Sequence, residues 1–285
     1  MNFVQWGLNP WGQQILTHLS WDLLWWAIGA GILFVMAHAV YVRVRGPQAH
    51  APAAATSPPI AGLPERVERH GMGARLFHWG MTVAMLALLV TGFLPIVGIQ
   101  FGWVTIHWIA GLALVAIVLY HIVHVLVRRS LAEMWVTAAD RRDARLRVGR
   151  ALGAQAQAPG KPGKYPLENK LYHHIIALTS VAVIATGLLM MVRVPAPFWT
   201  RNPYLLSDFT WGVVYVLHGL TSVALVALIM VHVYFAIRPE KLWLTWSMIY
   251  GWIGRAEYLQ YHDPQRWAVA PAPPPEAAAK TPAAH

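Results

Sequence analysis

Apolar positions along this chain fall in long unbroken blocks, with none of the strict alternation of half-buried strands. Five blocks stand out: Leu23–Val42, Leu76–Gly98, Trp103–Val127, Leu171–Val192 and Phe209–Ile237. Each runs near or past the ~20 residues that a helix needs to cross a hydrocarbon core. The pattern predicts an all-α integral membrane protein: a four-helix transmembrane bundle with one extra N-terminal transmembrane helix. Polar and small residues divide the rest. Residues 1–46 hold the extra helix, 47–64 form a Pro/Ala linker (PQAHAPAAATSPPIAGLP), and 65–240 form the bundle. Residues 241–267, rich in Trp and Tyr, are expected to form one interfacial helix, and 268–285 a disordered tail. The loop holding RRDARLRVGR at 141–150 is expected to be solvated and partly mobile.

Charge refines this picture. Lys and Arg number none before the first span, five in 43–75, none in 99–102, ten in 128–170, two in 193–208 and five in 238–285. By the positive-inside rule the N-terminus lies outside, and the two long loops and the C-terminus lie in the cytoplasm. The net charge of +10 is therefore a topology signal, and no nucleic-acid partner is expected. Residues 1–21 lack the basic start of a cleaved signal peptide. Cysteine is absent, which excludes disulfides, thiolate-held iron–sulfur clusters and covalent c-type haem.

Histidine carries the remaining chemistry. His107 and His121 stand fourteen residues apart in HWIAGLALVAIVLYH, and His218 and His232 stand fourteen apart in HGLTSVALVALIMVH. Both stretches hold ALVA at the same offset, and both helices run outside to inside, which does not fit an inverted transporter repeat. Fourteen residues make about 3.9 turns, so both rings leave one helix face about 21 Å apart along the axis. Two such helices face to face set imidazoles opposite each other at two depths. That is the arrangement for two haems, each held by two histidines and stacked across a bilayer. A single histidine near a helix end, such as His38 or His124, reads instead as a hydrogen-bonded or snorkelling residue. Gly111 and Gly219 offer room for a haem edge or plain helix contacts.

RLFHWGMTVAMLALLVTGF at 75–93 resembles the first helix of the b-type cytochrome (gamma) subunit of membrane-bound formate dehydrogenase. GKYPLENK at 163–170 resembles the element before that family's third helix, and the His218/His232 pair matches its fourth helix. The likeness covers residues 65–240, and the wider group includes hydrogenase and thiosulfate-reductase cytochromes b. It implies an outer haem b between His107 and His218 and an inner haem b between His78 and His232. His121 fits His232 in depth as well as His78 does, so it stays a candidate for the inner haem.

The resemblance further implies exchange with menaquinone or ubiquinone. The loop after G-K-Y departs from the family's pattern, but Glu168, Asn169, His173 and His174 supply proton-exchanging groups there. Glu168 and Asn169 equally suit an ordinary helix start. On this reading the chain is an electron-transfer subunit with no catalytic residue of its own, apart from a quinone site. A periplasmic iron–sulfur or cytochrome subunit and a catalytic subunit of the same complex would be its partners, in a bacterial inner membrane. Two other classes come to hand. H-I-V-H at 121–124 with His173–His174 would suit a non-haem di-iron desaturase or hydroxylase, though it leaves His107 and His218 unused. A histidine-relay metal or proton transporter would need acidic residues inside the spans, where they are nearly absent.

Overall fold

The computed structural model describes residues 2–45, 62–128, 130–155 and 157–270. Most of the linker expected at 47–64, and all but 268–270 of the tail, lie outside the described residues. Five helices are long and apolar enough to cross a membrane: α1 (Asp22–Arg45), α2 (Met72–Phe93), α3 (Trp103–Arg128), α6 (Leu167–Met191) and α7 (Asp208–Ala236). They coincide with the five apolar blocks. Shorter elements are β1 (Val4–Leu8), β2 (Gln14–Leu19), β3 (Arg66–Glu68), α4 (Leu131–Met134), α5 (Ala138–Ala151), α8 (Leu242–Tyr250), β4 (Trp252–Gly254) and α9 (Arg255–Tyr261). Contacts divide the chain into two compact units.

The first unit gathers residues 1–44, 76–127 and 173–236. Its central layer joins Ala84 and Met85 of α2, Leu114 of α3 and Leu225 of α7, with Ile176, Val183 and Ile184 of α6 against them. The N-terminal region adds an element that the apolar blocks do not signal. β1 and β2 pair antiparallel across a turn in which Asn9 Oδ1 accepts from the Trp11 and Gln13 amides and Gly12 takes a φ of 76°. This hairpin lies on the start of α7. A Cβ at Gly212 would fall on the Leu16 carbonyl, and Asn9 Nδ2 donates to Asp208 at 3.1 Å. α1 then follows α7: Leu24 packs with Val223, Gly31 receives Met230, and His38 Nδ1 meets the Tyr234 hydroxyl at 3.0 Å. So the extra helix is docked in the same unit as the bundle.

The second unit gathers the described residues among 45–75, 128–172 and 237–270. β3 pairs antiparallel with β4, and Val67, Leu63, Ile253 and Tyr258 form its core beside Trp243 and Trp267. The basic loop forms α5, whose Arg141, Arg142, Arg145, Arg147 and Arg150 are exposed, in keeping with a solvated segment, while two of its carboxylates turn inward. Thr137 and Asp140 close a reciprocal capping box at the start of α5. Asp140 and Asp143 are buried on Lys170 (2.8 Å) and Arg266 (2.6 Å), which explains why so charged a segment holds its place. Burial alone would raise both carboxyls. The bonds from Lys170 and Thr137 hold Asp140 below the usual range, and those from Arg266 and Gly160 do the same for Asp143. The single helix expected over 241–267 is two helices with a strand between them, because Gly251 turns the chain at φ 91° into β4.

Arg69 is a buried cation at the centre of this unit. Its guanidinium donates to His262 Nε2 at 3.0 Å and lies within 6 Å of the Tyr165, Trp243 and Trp267 rings. His262 Nδ1 in turn donates to the Gly163 carbonyl at 2.7 Å. Burial pulls the Arg69 guanidinium down to about 10. Burial first, and Arg69 second, pull His262 down to about 4.

Candidate functional site

α7 and α3 each carry two of the candidate histidines, and neighbouring helices complete the pairs. The His107 and His218 rings lie 6.3 Å apart between centroids, at 72°. Fourteen residues further along α7, His232 faces His78 of α2 at 6.2 Å and 49°. The structure thus brings together both pairs that the family resemblance implies. His121 goes elsewhere. Its ring stacks on Phe77 at 3.9 Å and faces His173 of α6 at 6.3 Å, so His121 and His232 are not paired.

Two threonines that the histidine spacing does not reveal hold the first pair. Thr91 Oγ1 lies 2.8 Å from His107 Nδ1, and Thr186 Oγ1 lies 3.0 Å from His218 Nδ1. Each hydroxyl donates back to its own helix, Thr91 to Ala87 and Leu88, Thr186 to Ala182 and Val183. With its proton so engaged, each oxygen accepts from the ring, so Nδ1 carries the hydrogen and Nε2 keeps its lone pair. The glycine after each threonine gives the ring room. A Cβ at Gly92 or Gly187 would sit 3.5 or 3.3 Å from the Cε1 of His107 or His218. The signal was present in sequence as the Thr-Gly dipeptides 91–92 and 186–187. Gly111 and Gly219 do different work, meeting Leu88 and, for Gly219, Leu19 and Trp21.

The other candidates are placed as follows. Glu168 lies 3.5 Å from Arg147 within the second unit, and Asn169 follows it in the first turn of α6. His173 meets His121 and His174 within the first unit. His38 packs among Phe34, Tyr41, Tyr234 and Phe235, and the His124 ring stacks near Tyr120. Among the described residues no three His, Asp or Glu side chains converge as a metal site, so the di-iron reading finds no centre.

Both pairs fit haem iron. Two axial metal–nitrogen bonds of about 2.0 Å each separate imidazole centroids by about 6 Å, as seen here. The Nδ1 of His78 is buried without a hydrogen-bond partner, unlike the Nδ1 atoms of His107 and His218, which meet threonine hydroxyls. Apolar spanning helices with imidazoles paired between them define a membrane cytochrome b. Residues 69–251, well over half of the chain, match prokaryotic cytochrome b561, and the chain belongs to that family. No curated protein matches it. It is accordingly a multi-pass membrane protein that binds haem b and takes part in electron transfer across the membrane. The hairpin and α1 lie outside the matched residues.

Proposed function

We propose that this chain is the membrane-anchoring cytochrome b subunit of a respiratory oxidoreductase, of the formate dehydrogenase gamma type. His107 and His218 hold an outer haem b, and His78 and His232 hold an inner one. The observation that carries this reading is the two imidazole pairs, 6.3 and 6.2 Å wide, set fourteen residues apart along α7. Haem b, when bound, supplies one-electron exchange at iron. The chain's own residues fix the rest. Thr91 and Thr186 keep the outer imidazoles in the ligating tautomer.

The lysine and arginine distribution supports an N-terminus in the periplasm and a C-terminus in the cytoplasm, the membrane being a bacterial inner membrane on this reading. Electrons then pass between a periplasmic iron–sulfur or cytochrome subunit, itself tied to a catalytic subunit, and the quinone pool. Menaquinone or ubiquinone takes two electrons and two protons to become quinol. Glu168, Asn169 and His173, in the first turns of α6, are the residues assigned to that exchange.

The test is the reduced-minus-oxidised visible spectrum of the detergent-purified chain, with haem quantified against protein. His107→Ala and His78→Ala should each remove one b-type haem. Variants that keep their full haem content would sink the assignment.

A further inference from the structure

A third pair of imidazoles shares the width of the two already assigned. His121 on α3 and His173 on α6 lie 6.3 Å apart between centroids, at 65°. Rings joined directly by an N–H···N bond of about 2.9 Å would have centroids about 5 Å apart. Two bonds of about 2.0 Å to one metal atom give about 6 Å. His121 Nδ1 is buried with no hydrogen-bond partner, as His78 Nδ1 is, and Phe77 stacked on the ring fixes its plane.

An internal repeat arrives at the same pair. α2 carries a histidine thirteen residues before a Thr-Gly dipeptide (78 to 91), and α6 does the same (173 to 186). α3 and α7 each carry histidines fourteen residues apart (107 to 121, 218 to 232). Exchanging α2 with α6 and α3 with α7 turns the Thr91–His107 contact into Thr186–His218, and both are present. The same exchange returns His107–His218 to itself and turns His78–His232 into His173–His121. All these pairings occur in the structure. A parallel repeat of this kind relates its halves about an axis along the membrane normal.

We infer that His121 and His173 hold a third haem b, at the level of the His78–His232 pair. This rests on reading the other two pairs as axial haem ligands. The ligand count selects haem over a bare ion. A tightly held metal ion takes three or four protein ligands, and no such trio converges among the described residues. Haem asks the protein for two axial nitrogens only, since the porphyrin supplies the other four. The assignment takes His173 away from the quinone. It leaves two irons at one depth, enough to hold both electrons that a quinone takes up.

The experiment is haem quantification on the full chain purified in detergent, with low-spin ferric signals counted by EPR on the unaltered protein. Three haems per chain and three signals are expected. His121→Leu, His173→Leu and the double variant should each retain two, since one site is lost once. The inference is overturned by two haems in the unaltered chain, by single variants that retain all haem, or by a double variant that loses two. Loss of one haem in His121→Leu but none in His173→Leu would also overturn it. A chain with no haem would instead sink the underlying reading of all three pairs.

Discussion

Thr91 Oγ1 sits 2.8 Å from His107 Nδ1, and Thr186 repeats the relationship with His218 at 3.0 Å on the opposite pair of helices. Both histidines of the outer pair are therefore oriented by a hydroxyl whose proton is already given to its own helix. Neither ring can exchange its nitrogens without losing that acceptor.

Thr91→Val keeps the shape and removes the acceptor. Partners behind a metal-bound histidine typically govern affinity by about 10–100-fold. We expect Thr91→Val to lower retention of the outer haem by about tenfold and to raise its midpoint potential, as the imidazole becomes a weaker donor to ferric iron. Thr91→Ser should restore both. A redox titration followed in the visible band checks this, and an unmoved outer-haem potential in Thr91→Val would refute it.

Gly212 admits the hairpin onto α7, because any Cβ there would fall on the Leu16 carbonyl. Gly212→Ala should cost about 1–3 kcal/mol of docking, the usual range for overpacking. Limited proteolysis reads it directly. Residues 1–21 should become cleavable in the variant, while haem content stays that of the unaltered protein.

The sequence and the structure agree where the physics is local to a helix. Span length, apolarity and the fourteen-residue histidine interval need no knowledge of neighbours, so the five helices and the two histidine-bearing faces were readable. The partner of His121 was not, because depth along α3 suits His232 and His173 alike and only packing separates them. The second unit was hidden for another reason. Val67 and Ile253 meet across a strand pair whose segments lie far apart in sequence. Asp140 and Asp143 look solvated until Lys170 and Arg266 are seen against them. The hairpin depends on side-chain bonds from Asn9 within one turn, a signal too short to stand out beside blocks of apolar residues.

Lys170 and Asp140 form a buried ion pair, 2.8 Å long, with 8% and 7% of their side chains exposed. Removing one partner of such a pair typically costs about 3–5 kcal/mol, because the other charge is left unpaired. Lys170→Met should therefore destabilise the second unit by an amount near the lower figure. Adding Asp140→Asn should recover most of it, since the amide oxygen can still accept from Thr137. A double-mutant cycle on thermal unfolding in detergent checks the recovery. Equal losses in the single and double variants would place the cost outside the ion pair.

His262 makes the second unit sensitive to acid. Burial and the adjacent Arg69 hold its imidazole at about 4 when folded, against an ordinary value near 6.5. The folded state binds its proton less readily than the unfolded state does. Stability is therefore complete above pH ~6.5 and falls as pH drops towards 4, below which this site adds no further loss. The full shift corresponds to about 3 kcal/mol, at 1.36 kcal/mol per unit. Protonation at Nε2 would also set a donor against the Arg69 Nη1 that now donates to it. His262→Gln offers an acceptor that does not titrate in this range. The unaltered chain should lose thermal stability between pH 6.5 and 4 through this site, while the variant keeps a flatter profile over the same interval. The carboxyls of Asp140 and Asp143, also held below their ordinary range, add their own loss at lower pH in both proteins. Parallel profiles from pH 7 to 5 would show that His262 is not the sensor.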